Sequence, residues 1–499
     1  MKKSLKKSKG KEEKGQTYRQ KSVITNYLLA FLVGSSLYFQ GYYMGLMNPM
    51  GRIMTGLVFK MKTEAEANEF LGNCNFIIGT GAMITFFFVG PVANKIGRIR
   101  LLMLSGLLGI FSSLGYAIES VPAFYLMRAM NGIVIGFLGS LVPIAVTEMF
   151  PSEISGIAGC FAIFSSSAFT MVGWLTPYLF QNDDQLIAEN YLWIFAGPAA
   201  LGAAHLFCLC LAFRFGALDS PAFFLQKLNL SEKIEEEKIA YQVQNWLKCV
   251  YVEQDAARMT REMIANQKNL KVENSKKEEG GGFLELLSPR YRFRLFIAIM
   301  LNMTHQLSGI NYLVFLSTQL FDKISGNGRQ MTLVIGASSI LGGVVGILTV
   351  SRLGRRFNLL SGIIAQMAGF SLLLFGIYNK VGQVAFYVAS VVLYIIGFSS
   401  GIGGTLGVYN AEILPATGVG VAGGVGWLFT SFVGKLLPGL DASLGPTVLI
   451  QFFIGSMAVC FTFMYFNCVE TMGLTMEQVE AYYESGGSRG KVSAKEKVE

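Results

Sequence analysis

The densest group of hydrogen-bonding side chains in this sequence lies inside a hydrophobic segment that runs from about residue 295 to 320. Within eight residues it holds Thr304, His305, Gln306, Ser308 and Asn311. Inside a bilayer, each side chain that needs a hydrogen-bond partner costs free energy, by estimates from about 1 kcal/mol upward. The amides of Gln306 and Asn311 each combine donors with an acceptor, which suits them to bind a solute. This group is therefore the first candidate for a binding site.

The local backbone decides whether these side chains can face one place. At about 100° per residue, Thr304, Ser308 and Asn311 share one helix face, and Gln306 lies well away from it. The pair Ser308-Gly309 predicts a loosened helix that would bring Gln306 and Asn311 toward one cavity. The alternative is that these side chains only bind neighbouring helices. The density of the group favours a solute site.

Composition places the chain in a membrane. Of its 499 residues, 52% are hydrophobic and only 15% are charged, whereas a soluble protein would carry about 25% charge. Apolar runs of about 20 residues recur along most of the chain, as a bilayer core of about 30 Å requires of a spanning helix. The net charge of +9 does not indicate nucleic-acid binding, because the basic residues lie in the loops and tails between these runs.

No constellation of residues indicates catalysis or a bound cofactor. His205 and His305 are the two histidines, and neither has a serine, cysteine or carboxylate at a useful spacing. The seven cysteines show no ligand spacing, and we interpret Cys208 and Cys210 as buried small side chains. We therefore expect no enzyme activity, no metal and no cofactor.

The apolar runs predict an all-α membrane protein with twelve transmembrane helices in two six-helix bundles. The N-terminal bundle (23–216) follows a tail of residues 1–22, and a helical linker (217–290) joins it to the C-terminal bundle (291–468), which is followed by a tail of residues 469–499. The predicted spans are 24–47, 72–92, 101–118, 121–146, 156–180, 191–214, 292–320, 331–350, 359–378, 383–411, 418–438 and 446–468.

Basic residues are distributed unevenly among the loops. Lys and Arg crowd the N-terminal tail, residues 95–100, the linker and residues 352–356, whereas the loop 181–190 has none. The positive-inside rule then places both tails and the linker in the cytoplasm. Residues 231–268 predict an amphipathic helix that lies under the bundles. The linker is either a solvated connection, which we prefer, or a partner-binding domain. No feature marks an organelle, so the plasma membrane is the default expectation.

The two halves repeat three short signals in the same order. Gly97-Arg98 is echoed by Gly354-Arg355-Arg356, Glu148 to Pro151 by Glu412 to Pro415, and Leu218-Asp219 more loosely by Val469-Glu470. The offsets are 354 − 97 = 257, 412 − 148 = 264 and 470 − 219 = 251. Parallel repeats of six spans predict the major facilitator architecture, with a central site near the midplane.

The repeated charges lie at predicted cytoplasmic helix ends, where they predict a gate. Opposite charges there can bind across helices in one conformation and separate in another. The residues assigned to this gate are Arg98, Glu148, Arg355, Arg356 and Glu412. The alternative is that the arginines only fix the topology. Arg128 lies in a hydrophobic segment, and if it is near the cytoplasmic end we expect it to pair with Glu148.

Several motifs resemble those of sugar porters, and together they cover nearly the whole chain. Gln306 to Phe315 is similar to the pattern Q-Q-x-S-G-I-N-x-x-x-[FY]-Y, and Gly41 to Asn48 to the first-span pattern G-Y-[DN]-x-G. Residues 148–151, 218–225 and 469–479 resemble further signatures of this family. The resemblance implies a major facilitator fold that works by alternating access.

The resemblance also implies which residues contact a sugar. Gln306, Ile310 and Asn311 match sugar-contacting positions of the seventh span, and His305 stands where the family has its first glutamine. Ser339 stands for an asparagine of the eighth span, and Trp427 matches a tryptophan of the eleventh. We expect His305, Gln306 and Asn311 to bind hydroxyl groups and Trp427 to form an apolar wall. By the same resemblance, the fifth-span glutamine of the family falls near Ile163, and the position of its tenth-span tryptophan is Gly407.

A residue of the first span indicates whether transport is coupled to protons. Proton-coupled members of the family carry an aspartate where this sequence has Tyr43. A symporter needs an embedded group whose protonation changes with conformation, usually a carboxylate. His305 is an alternative proton carrier, but a neutral, hydrogen-bonding histidine is the simpler interpretation, so we expect a uniporter.

The expected function is therefore transport of a sugar, most simply a hexose such as glucose, down its gradient. Its partners would be this small-molecule solute and the lipid bilayer. The altered family positions keep two alternatives open. One is a transporter of another small solute, such as a polyol, an organic acid or a drug-like cation. The other is a nutrient sensor that binds solute and signals through the linker.

Overall fold

The computed structural model describes residues 19–150, 152–180, 184–214, 218–228, 233–274, 286–326, 328–380 and 384–472, together with residues 474, 478–479 and 482–483. Most of the two predicted tails, residues 1–18 and 484–499, lies outside these ranges.

The N-terminal half is built from apolar helices, several of which begin at a capping hydroxyl. Ser22, Thr63 and Ser120 each accept a hydrogen bond from a backbone N–H in the first turn of the helix that follows. The helices of this half are α1 (Val23–Gly34), α2 (Tyr38–Ile53), α3 (Glu64–Ile96), α4 (Arg98–Gly115), α5 (Val121–Met149), α6 (Ser152–Leu175), α7 (Asp184–Glu189) and α8 (Tyr191–Ala212).

The linker and the C-terminal half supply the remaining helices. The linker contains α9 (Pro221–Gln226), α10 (Lys233–Val250) and α11 (Glu253–Asn274). The C-terminal half contains α12 (Arg292–Leu307), α13 (Ile310–Ser325), α14 (Gly328–Leu353), α15 (Arg355–Tyr378), α16 (Val384–Ser400), α17 (Ile402–Ile413) and α18 (Ala416–Asn467).

These helices form the twelve predicted spans. Among the described residues, nine helical stretches are long and apolar enough to cross a membrane, and one of them, Thr417–Asn467, contains two spans. Gly445 has a φ of 77° and divides α18 there. Helix α6 and the pair α12–α13 supply the other two spans. The fold is therefore the expected all-α arrangement of two six-helix bundles.

The linker packs against the N-terminal half through both its backbone and Trp246. The indole Nε1 of Trp246 donates to the carbonyl of Met149 at 3.1 Å, and its ring stacks on Phe213. Gln20 and Tyr251 form an isolated antiparallel bridge just before α1. The linker contains two long helices, which meet near Tyr251, instead of the single helix predicted over 231–268.

These contacts define the two ends of the molecule. The start of α1, the turn between α3 and α4 and the linker lie together, and we call this side the linker end. Helices α2 and α13 run away from it, so their last residues lie at the opposite end.

Candidate functional site

The seventh span is broken where the sequence predicted a loosened helix. Helix α12 ends at Leu307, and Gly309 adopts the left-handed region with a φ of 88° before α13 begins. The carbonyls released by the break find new donors. Ser456 donates to the carbonyl of Leu307 at 2.7 Å, and Tyr394 donates to that of Ser308 at 2.9 Å. Such partners make a break in a membrane helix tolerable.

The break brings Gln306 and Asn311 into direct contact. Asn311 Nδ2 donates to Gln306 Oε1 at 2.5 Å, and Gln306 Nε2 lies 3.2 Å from His305 Nδ1. Gln306 and Asn311 are 6% and 5% exposed, and Ile310 beside them is also buried. Each amide can form up to four hydrogen bonds, so the pair keeps donors and acceptors for a solute.

Trp427 lies where the two halves meet. Its ring faces Phe86 of α3 with centroids 6.3 Å apart. The preceding residue, Gly426, packs against Asn302, which is one helical turn before Gln306. These contacts place Trp427 next to the residue that packs against Asn302, one helical turn from the amide pair.

Ser339 has different neighbours. Its Oγ donates to the carbonyl of Ile335 at 3.0 Å, and it lines a small apolar crevice between α6 and α14 together with Phe164 and Ser167. The structure gives it no contact with Gln306 or Asn311. The role proposed for Ser339 in solute binding therefore has no support from its contacts.

The repeated charged residues of the N-terminal half, Arg98, Glu148 and Asp219, form one cluster at the linker end. Arg98 binds both carboxylate oxygens of Glu148, at 2.9 and 3.0 Å. Ser220 donates to Glu148 at 2.5 Å, and Asp219 accepts the backbone N–H groups of Arg98 and Ile99. Burial raises the pKa of Asp219, while these N–H groups and Arg98 act in the opposite direction.

The C-terminal half repeats this cluster almost atom for atom. Arg355 donates to Glu412 at 2.7 Å, and Thr471 donates to the same carboxylate at 2.5 Å. Glu470 accepts the backbone N–H groups of Arg355 and Arg356, as Asp219 does in the other half. The looser sequence repeat, Leu218-Asp219 with Val469-Glu470, therefore marks equivalent positions.

The side chains of two residues assigned to the gate have other partners. Arg128 is near the start of α5, 20 residues and therefore about 30 Å along the helix from Glu148. Its Nη1 donates to the carbonyl of Tyr43 at 3.2 Å. Arg128 was expected to pair with Glu148 if it lay near the same helix end; it does not lie there, and it therefore does not belong to the gate cluster. The guanidinium of Arg356 donates to the carbonyl of Tyr465 at 2.8 Å, so Arg355 alone makes the ion pair with Glu412.

Polar contacts join the two halves at the opposite end. Asn48 Nδ2 of α2 donates to Ser317 Oγ of α13 at 2.6 Å, and Asn48 Oδ1 accepts the backbone N–H of Thr318 at 3.2 Å. Lys435 of α18 donates to Asn73 of α3. These contacts close the space between the halves at this end. The role of Asn48 was not predicted from the sequence, although the residue lies in the first-span motif.

A buried carboxylate that was not predicted from the sequence is Asp441, which is 5% exposed. It accepts hydrogen bonds from Tyr312 Oη at 2.5 Å and from Lys323 Nζ at 2.6 Å, both of α13. Since Tyr312 follows Asn311 directly, these bonds fix the orientation of α13 after the flexible break. An aspartate in an apolar run was the signal that could have revealed it.

Replacing Gly309 by alanine should destabilise the protein more than the same change at Gly326. Both glycines have positive φ, which costs another residue about 1–2 kcal/mol. A Cβ at Gly309 would also lie 2.8 Å from the ring of Phe453 and 2.9 Å from that of Phe370, whereas at Gly326 it would meet nothing within 4 Å. The overlap adds about 1–3 kcal/mol. Melting temperatures of the two purified variants would test this, and equal shifts would contradict it.

Comparison with known proteins adds an independent observation. The family model described as "Sugar (and other) transporter" matches residues 27–483. The mouse protein "Solute carrier family 2, facilitated glucose transporter member 3" is 30% identical over 441 residues, which are 84% of this chain and 83% of the relative. The Arabidopsis thaliana "Plastidic glucose transporter 4" is 26% identical over 496 residues, covering 96% of this chain and 84% of the relative.

A solved structure resembles the fold over nearly its whole length. It is the major facilitator proton:xylose symporter XylE bound to 6-bromo-6-deoxy-D-glucose, with a TM-score of 0.72. At 20% sequence identity it covers 92% of this chain and 98% of the other.

Proposed function

Because this chain belongs to the sugar (and other) transporter family, we propose that it moves a sugar, specifically a hexose such as glucose, across the membrane as a uniporter. The observation that carries the proposal is the buried Gln306–Asn311 pair at the break of the seventh span. It presents amide groups near the meeting of the two halves, with Trp427 beside them. Amides and an aromatic surface suit the hydroxyl groups and the apolar face of a sugar ring.

The two ends of the molecule suit alternating access. Asn48 and Lys435 join the halves at the end opposite the linker. At the linker end, each ion pair lies within its own half and fastens a short segment to it. We propose that the halves rock about the amide pair, so that the contacts of Asn48 break when the opposite end opens.

We also propose the orientation and the membrane. The linker end carries the basic loops that include Lys95, Arg100 and Arg352, so it would face the cytoplasm, together with both termini. The plasma membrane is the simplest location. Antibody access to a tag on the C-terminus, before and after cells are permeabilised, would test the orientation.

Counterflow in liposomes tests the proposed function directly. Liposomes that contain the purified protein are preloaded with unlabelled glucose and receive labelled glucose outside. Transient accumulation of label would demonstrate exchange through the protein. Its absence would contradict hexose transport, and a polyol and an organic acid would then be tried in the same assay. Solute that binds without crossing would favour a sensor.

A pH step is expected to leave uptake unchanged. Tyr43, at the position of the family's aspartate, donates its hydroxyl to Ser113 at 2.7 Å, and Arg128 binds its carbonyl. The position therefore offers no carboxylate. A one-proton symporter would gain about 2.7 kcal/mol from a step of about two pH units, enough for roughly 100-fold accumulation. Accumulation driven by such a step would overturn the uniporter proposal and direct attention to His305.

A further inference from the structure

Gln40 carries a polar group that the site described above does not use. Its Oε1 is shielded from solvent and, among the described residues, no hydrogen-bond donor reaches it. The Oγ of Ser140 is also shielded from solvent and has no hydrogen-bond partner among the described residues. Buried polar atoms are normally paired, so two unpaired atoms in one region indicate an absent partner.

The neighbours of Gln40 place it beside the candidate site. A Cβ at Gly139, the residue before Ser140, would lie 3.5 Å both from Gln40 Oε1 and from the ring of Phe86. Phe86 in turn faces Trp427. Gln40 and Phe86 therefore approach the same point of α5, the residue before Ser140, and Phe86 continues to Trp427.

The alignment of α2 with α13 shows how deep Gln40 lies in the molecule. Asn48 of α2 bonds Ser317 and Thr318 of α13, and both helices run away from the linker end. Met44, one turn earlier, packs against the cores of both halves. Gln40 is eight residues before Asn48, which is about 12 Å along α2. The same distance back along α13 from Thr318 reaches Ile310, the first residue of that helix. Gln40 thus lies at the level of the amide pair, on roughly the same side of α2 as Met44 and Asn48.

We propose that Gln40 is a specificity-determining residue, whose amide binds one hydroxyl of the solute from the N-terminal half. This inference rests on the proposed function. It gives the N-terminal half a polar contact with the solute. A solute held from both halves would draw them together, whereas one held by Gln306 and Asn311 alone would remain with the C-terminal half.

The test compares glucose with its monodeoxy analogues in counterflow, using the unaltered protein and Gln40→Met, which keeps the length of the side chain but removes its amide. We expect the half-saturating glucose concentration to rise about 3- to 10-fold, as loss of one hydrogen bond to a neutral group predicts. For the one analogue that lacks the bonded hydroxyl, the variant and the unaltered protein should be equal. Gln330→Leu, at an exposed glutamine of the opposite end, serves as the control.

The outcomes separate this inference from the proposed function. If the unaltered protein exchanges no sugar, the proposed function fails and the inference falls with it. If it exchanges glucose and Gln40→Met weakens all analogues equally or none, only the inference is overturned. Should Gln40→Met not fold, Gln40→Leu, which also removes the acceptor and the donors of the amide, is measured with the same panel. An unchanged analogue profile in that variant would also refute the inference.

Discussion

Asn311→Ala is expected to reduce glucose counterflow by about 10- to 100-fold, chiefly through weaker binding of the solute. The change removes a side chain that can hold a hydroxyl as both donor and acceptor, each bond contributing about 0.5–1.5 kcal/mol. It also leaves Gln306 Oε1, which Asn311 bonds at 2.5 Å, without its partner. Gln306 would then lose its orientation toward the solute.

Asn379→Ala is the matched control for this variant. Asn379 is an exposed asparagine at the end of α15, where its side-chain amide donates to the carbonyl of Phe375. Both variants would be measured for counterflow and for melting temperature in detergent. Counterflow by Asn311→Ala at the unaltered rate, with an unchanged half-saturating concentration, would remove the amide pair from the proposed site.

Glu148→Ala is expected to destabilise the protein more strongly than the equivalent change Glu412→Ala. The side chain of Arg98 is 4% exposed, so loss of Glu148 would leave a buried guanidinium without its carboxylate, at a cost of about 3–5 kcal/mol. The side chain of Arg355 is 19% exposed, so water can partly replace Glu412. Glu148→Ala should therefore have a lower melting temperature than Glu412→Ala, and the reverse order would contradict the burial argument.

A double replacement separates the gate from a purely structural role. In Arg98→Met with Glu148→Leu, apolar side chains of similar volume replace the ion pair, which often restores stability. If the ion pair takes part in gating, this variant should fold and bind sugar, but its counterflow should stay reduced by about 10-fold or more. The reason is that Ser220 loses Glu148 as its acceptor, which releases the segment that Ser220 anchors. Full recovery of counterflow would show that the pair only stabilises the fold.

The sequence alone predicted the features that depend on neighbouring residues along the chain. Apolar runs of the right length predicted the spans, because each must bury its own backbone within the bilayer. The pair Ser308-Gly309 predicted the break of the seventh span, because glycine adopts positive φ without steric cost. The repeated Gly-Arg and Glu-x-x-Pro signals predicted charged residues at equivalent helix ends of the two halves, because equivalent positions in equivalent bundles lie at the same ends.

Only the tertiary structure decided which side chains from different helices meet. Arg128 could not be assigned from sequence, because its partner depends on which end of α5 it occupies, and that end is about 30 Å from Glu148. Asp441 was overlooked because its partners, Tyr312 and Lys323, are more than 100 residues away along the chain. Gln40 and Ser339 depend on how α2 and α14 are rotated about their axes. Rotation and depth are set by packing between helices, which a local pattern of residues does not encode.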